Sequence, residues 1–159
     1  MFKVAGLISK YMQVQSRAAF PGLNLAILAA ITPPHVEVRI VDESVEPVDF
    51  DTEADLVGIT AMTNMAPAAY KLADLFRQRG KKVVLGGVHV TVCPDEAQKH
   101  ADAVVVGEAE PIWKELIGDL ERGELKPRYR ARRYPSPRPV ETGSLSNSKH
   151  AGNGARMSL

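Results

Sequence analysis

Three stretches of the chain carry residue types able to do chemistry. Asp55-Leu-Val-Gly-Ile-Thr-Ala-Met-Thr63, Val83-Val-Leu-Gly-Gly-Val-His-Val-Thr91 and Ala103-Val-Val-Val-Gly-Glu-Ala-Glu110 each run apolar, then stop at small or polar residues. The chemistry on offer is binding rather than bond making. Gly86, Gly87 and Gly107 permit close approach of a ligand to the backbone. Thr60, Thr63 and Thr91 offer hydroxyls, and helix starts beyond the strands offer free N–H groups that suit phosphate. The set suits a bulky, flat, partly apolar ligand with a polar tail. Each piece also has a plain structural reading. Glycines after strands make tight turns, and threonine is common at strand ends. Glu108 and Glu110 suit the first turn of a following helix. Met62 and Met65 suit packing, and His89 alone reads as a loop histidine satisfied by its neighbours. Cys93 reads as an inert small residue, because the sequence places no base beside it.

The elements that must position these residues follow from the apolar pattern. Residues 2–8 read as a first strand, with a polar, irregular loop over 9–20. Residues 23–31 read as a helix that is apolar nearly all round, hence buried or packed on two sides. Pro33-Pro34 stops it. A second strand is expected over 36–41, a third over 56–60, a fourth over 82–85 and a fifth over 103–106. Helices are expected over 67–79, 94–99 and 111–122, with Gly80 and Gly123 as stops. Solidly apolar strands need cover on both faces. Strand and helix in alternation give right-handed crossovers and a parallel sheet. The expected fold is therefore α/β, flavodoxin-like, with five parallel strands in the order 2-1-3-4-5. In such a sheet a ligand binds outside the carboxyl ends of the strands, between strands 1 and 3.

Bulk properties narrow the classes. The 159 residues suit one domain and a tail, and 45% hydrophobic content suffices for a core. A formal net charge of +1 argues against a specific nucleic-acid reader. The single cysteine excludes an intramolecular disulfide and a self-contained Cys-rich zinc or iron–sulfur site. The apolar runs near the start are too short for a membrane span, and a cytoplasmic location is expected. From Lys126 on, arginines crowd among Pro135, Pro137 and Pro139, and Ser, Gly and Asn follow. The expected boundaries are a folded domain at 1–125 and a basic, disordered tail at 126–159.

Val57-Gly-Ile-Thr-Ala-Met-Thr63, the helix from Ala69 to Gly80, Val84-Leu-Gly-Gly-Val-His-Val-Thr91 with Pro94-Asp-Glu96, and Ala101-Asp-Ala-Val-Val-Val-Gly-Glu-Ala-Glu110 together closely resemble the cobalamin-binding domain at the front of cobalamin-dependent radical SAM enzymes. Pro21-Gly-Leu-Asn-Leu-Ala-Ile-Leu-Ala-Ala30 resembles that family's first helix, and the likeness covers about residues 2–125. The resemblance implies a cobalamin pocket. Thr60, Ala61, Met62 and Thr63 would line the nucleotide-tail pocket. Gly86, Gly87 and His89 would border the tail and the corrin edge. Gly107 and Glu108 would close the far side, and Leu23 and Asn24 would approach from the first helix.

Two departures qualify the likeness. The Asp-x-His-x-x-Gly motif that gives cobalt a histidine in methionine synthase and the mutases does not occur, and His35, His89, His100 and His150 all lack its context. Cobalt is therefore expected to carry no protein histidine. The Cys-x-x-x-Cys-x-x-Cys motif of the radical SAM barrel is also missing, so neither an iron–sulfur cluster nor an S-adenosylmethionine site is expected within these residues. The sequence reading is a cobalamin-binding module with no catalytic or metal-ligating residues of its own, a truncated or frame-shifted front domain. Its partner would be a radical SAM barrel chain in trans. The rivals are a fragment that keeps the fold but binds nothing, and the front domain of a methyltransferase-type enzyme.

Overall fold

The computed structural model describes residues 3–8, 23–43 and 46–131. The expected polar loop after the first strand, the Arg/Pro-rich residues from Arg132 on and His150 lie outside the described residues. Strands β1 (Lys3–Ile8), β2 (Glu37–Asp42), β3 (Leu56–Thr60), β4 (Lys82–Gly86), β5 (Ala103–Val106) and β6 (Arg128–Arg130) form one sheet in the order β2-β1-β3-β4-β5-β6. Every neighbouring pair is parallel. Helices α1 (Leu23–Ile31), α2 (Ala66–Gln78), α3 (Val88–Val92), α4 (Pro94–Ala97) and α5 (Trp113–Glu121) supply the crossovers and cover.

Two cores result, one on each face of the sheet. Val57, Ile59, Val83, Leu85 and Val104 pack with Ala69, Ala73 and Phe76 of α2. Leu56, Val84, Ala103 and Val105 pack with Trp113, Leu116 and Ile117 of α5. Adjacent residues of one strand serve opposite cores, as the two-residue repeat of a strand requires. That division fixes which face each strand-end residue serves. Leu56 belongs to the α5 face, so Gly58 and Thr60 share it.

Three expectations need correction. The sheet has six strands, because Arg128–Arg130 pairs with β5, so the order runs on past residue 125. An Arg-Tyr-Arg triplet carries no apolar signal, and a long-range polar anchor holds it instead. Tyr129, 3% exposed, donates its hydroxyl proton to Asp119 Oδ2 at 2.8 Å. Lys126 Nζ lies 3.0 Å from the same oxygen, and Arg122 bonds the other. Secondly, residues 88–92 are helical although Val-His-Val-Thr-Val is rich in β-branched residues. Val90 is fully buried in the α2-side core, and tertiary packing overrides a weak local preference. Thirdly, α1 is not packed on two sides. Only its Leu25 is buried, and Leu23 and Ile27 are exposed.

The anchor of β6 makes stability depend on pH. The hydrogen bond from Tyr129, then that from Lys126, hold the Asp119 carboxyl below its ordinary 3.8. A depressed folded-state value contributes stability above about pH 4, which is lost as pH falls through that lower value. Asp119→Asn is expected to lower unfolding free energy by roughly 1–3 kcal/mol at pH 7. The gap should begin to narrow near pH 4 and close only once the pH has fallen through that lower folded-state value, where both chains carry a neutral side chain. Urea unfolding of both proteins across pH 2–8 measures it. A gap that persists undiminished in acid would contradict the account.

Candidate functional site

At the carboxyl edge of the sheet the chain folds a crevice between α1 and the α5-side face. Its floor is built by absence. Gly58 sits in the middle of β3, where its neighbours are large, and Gly6 is its register partner on β1. One step on, Thr60 pairs with Gly86. The sheet face therefore lacks side chains at Gly58 and Gly86, a track on which only Thr60 and Val84 intervene. Val38 and Ile40 of β2 bound the track on one side, and Val84, Val105 and Gly107 on the other. Leu25, Leu28 and Ala29 of α1 roof it, and Trp113 of α5 closes the inner end. The volume is about 120 Å³. An apolar cavity of about 150 Å³ holds a benzene-sized ring. The crevice is slightly smaller than that, so it admits the edge of one flat ring, and a macrocycle would have to lie outside its mouth.

Polar ties hold the walls. Asn24 Nδ2 donates to Thr60 Oγ1 at 3.1 Å, joining the start of α1 to the end of β3. Trp113 Nε1 donates to Thr32 Oγ1 at 2.7 Å, and Thr32 donates on to the Leu28 carbonyl at 2.6 Å, which sets α1 against α5. Thr91 Oγ1 donates to the Gly87 carbonyl at 3.0 Å and accepts from Gly107 N–H at 3.0 Å. Its hydroxyl fastens the loop after β4 to the loop after β5. Ala61 N–H donates to the Gly86 carbonyl at 2.9 Å, and His89 N–H to the Ala61 carbonyl at 3.1 Å. Gly87 lies within this knot at φ 99°, ψ −175°.

Of the residues singled out from sequence, Asn24, Thr60, Gly86, Gly87, Gly107 and Glu108 meet around the crevice. Leu23, Met62 and Thr63 stand exposed beyond its mouth, with Leu23 and Met62 bare to 68% and 59%. Ala61 is buried behind Thr60. His89 turns away. It is 7% exposed and faces Tyr70 of α2, with ring centroids 5.9 Å apart. His35 bonds Glu121 and His100 bonds Asp74, so among the described residues no histidine lines the crevice. Sequence reasoning missed Gly58, Trp113 and the β2 wall. A glycine inside an apolar strand was the available signal for the first.

Exposed apolar side chains stand on α1 and just after β3 and β4. Leu23, Ile27, Met62 and Val88 are all more than a third bare, and together they offer a greasy rim. A parallel α/β sheet with a ligand crevice at the edge where its connections reverse defines a small-molecule-binding domain of the doubly wound class. Comparison with known proteins makes the class specific. The pattern of the B12 binding domain matches residues 14–117. The chain belongs to the B12-binding domain family, as the resemblance read from its sequence implied.

Three relatives are informative. The bacteriochlorophyllide d C-8(2)-methyltransferase of Chlorobaculum tepidum is 44% identical over 114 residues, which cover 71% of this chain and 25% of that protein. The bacteriochlorophyllide d C-12(1)-methyltransferase of the same organism is 36% identical over 88% of this chain and 32% of its own length. An uncharacterized methyltransferase of Pyrococcus horikoshii is 38% identical over 67% of this chain and 26% of its own. The chain thus spans about a quarter to a third of these proteins. Among solved structures, the N-terminal domain of a hypothetical protein of Thermotoga maritima aligns over 76% of this chain and 99% of its own. Its TM-score is 0.46, at 22% identity. Among the described residues, no helix is long and apolar enough to cross a membrane.

Proposed function

We propose that the chain is the cobalamin-binding module of a methyltransferase-type radical SAM enzyme, binding the nucleotide tail in the crevice and the corrin on the apolar rim. The observation that carries the reading is the glycine track under α1. It gives an apolar slot of about 120 Å³, which suits the edge of a flat base and is too small for the corrin. Thr60 and Asn24 at the mouth, and the backbone of Gly86, Gly87 and Gly107, suit the polar sugar-phosphate link. Bound cobalamin would supply a cobalt-carried methyl group. This chain's residues would bind and orient the cofactor. The radical SAM barrel would come from elsewhere, in the same longer protein or in trans. Two facts support that: the relatives extend far beyond the matched part, and α1 leaves Leu23 and Ile27 uncovered.

A tail inserted in the crevice would leave cobalt without its benzimidazole, and no histidine of this chain is expected to replace it. The chain reconstituted with cob(II)alamin is therefore expected to give a base-off electron paramagnetic resonance spectrum. The nitrogen splitting of an axial imidazole or benzimidazole should be missing. A nitrogen-split spectrum that changes on uniform 15N labelling of the protein would show a protein ligand and contradict the reading.

A further inference from the structure

On the α2 side of the sheet, away from the crevice, α3 and α4 bring His89, Cys93 and Glu96 together. Their donor atoms all lie within 4.8 Å of one another, and His89 Nε2 stands 3.7 Å from Glu96 Oε1. His89 and Cys93 are one helical turn apart, and the break at Cys93 (φ −122°, ψ 57°) between α3 and α4 leaves Glu96 beside them. The helical path is continuous from α3 to Cys93, whose N–H donates to the His89 carbonyl at 2.8 Å.

The cluster is unfinished as a hydrogen-bonded structure. His89 is 93% buried, and its Nε2 has no hydrogen-bond partner. The gap to Glu96 is too long for a hydrogen bond. A buried imidazole nitrogen left bare is rare in folded proteins and calls for an occupant.

We propose that His89 Nε2, Cys93 Sγ and Glu96 carboxylate bind a thiophilic divalent cation of the Zn²⁺ class. Mixed nitrogen, sulfur and oxygen donors match a borderline-soft ion, whereas Mg²⁺ and Ca²⁺ prefer oxygen alone. Tetrahedral bonds of about 2.0–2.3 Å set donor atoms about 3.3–3.8 Å apart, which the His89–Glu96 separation already meets. The cysteine is half-buried and the glutamate exposed, so both can close the remaining distance, and solvent reaches the fourth position. The site also bears on the crevice wall. His89 N–H donates to the Ala61 carbonyl at 3.1 Å, so a cation on His89 would brace the loop that begins at Thr60. Neither site needs the other to be occupied, and the test uses cobalamin-free protein.

The full chain, stripped with chelator, is titrated with Co²⁺ as a spectroscopic probe and then with Zn²⁺. One equivalent of Co²⁺ should give thiolate-to-cobalt charge-transfer absorption and the strong visible bands of a four-coordinate site, both bleached by Zn²⁺. Cys93→Ser should abolish the charge-transfer band. Glu96→Gln alters an exposed side chain, so the fold should persist, and it should weaken binding at least tenfold. Zn²⁺ at a hundredfold excess over its Kd should raise the unfolding midpoint by roughly 5–15 °C. A wild-type chain without the charge-transfer band overturns the proposal. So does Co²⁺ binding that survives both substitutions unchanged, which would assign the ion to surface groups such as His35 and His100.

Discussion

Gly86→Val is expected to lower the affinity of the chain for cobalamin by ten- to hundredfold or more, while its unfolding free energy stays within about 1 kcal/mol of the parent. Gly86 ends β4, and its φ lies outside the left-handed region. A Cβ built there meets only Val105 Cβ, at 3.8 Å, an ordinary contact. Valine suits a strand, so the fold has no reason to resist it. The ligand does. The two added methyl groups enter a crevice of about 120 Å³ at the point where Thr60 and Gly107 converge. Overfilling a packed site costs about 1–3 kcal/mol, and each 1.4 kcal/mol is about a factor of ten in Kd. Isothermal titration of both proteins, paired with urea unfolding, separates the two effects. Equal affinities would remove the tail from the crevice.

Gly87→Ala is expected to act on the fold itself, lowering stability by about 3 kcal/mol or more. At φ 99° and ψ −175° the residue occupies a region open almost only to glycine, which costs an L-residue about 1–3 kcal/mol. Space is lacking too. A Cβ would stand 2.8 Å from the Ala61 carbonyl oxygen and 2.8 Å from Thr60 Oγ1. The first is backbone tied to His89, so relief means breaking the knot between β3 and α3. Gly107→Ala is the control. It also has a positive φ, but its Cβ would meet only Ala131 Cβ, at 3.5 Å, so strain acts alone, at about 1–2 kcal/mol. Thermal and urea unfolding should therefore rank parent, Gly107→Ala and Gly87→Ala in falling order. Equal losses in the two variants would show that the close approach to Ala61 contributes nothing.

These two neighbouring glycines also show what a sequence can and cannot disclose. That β3, β4 and β5 end at one edge of the sheet was legible, because apolar runs stopping at Thr60, Gly86 and Gly107 mark strand ends. Which of Gly86 and Gly87 the fold itself requires was not legible. That depends on a through-space approach to Ala61. Trp113 was read as part of a helix, and its place at the end of the crevice depends on a bond to Thr32, 81 residues away. His89 was read beside the pocket because it follows Gly87 in sequence. The five-residue helix after Gly87 carries it to the other core, where Val90 is anchored. Strand β6 escaped notice because Asp119 and Tyr129 hold it through polar contacts, which leave no apolar period to read.

Whether the chain binds cobalamin is decided by titrating hydroxocobalamin into the cobalamin-free chain, followed by visible absorbance and checked by gel filtration. The account predicts a saturable spectral change at one cofactor per chain, with the corrin absorbance eluting with the protein. An unchanged spectrum, with all cobalamin eluting free at high protein concentration, would contradict it.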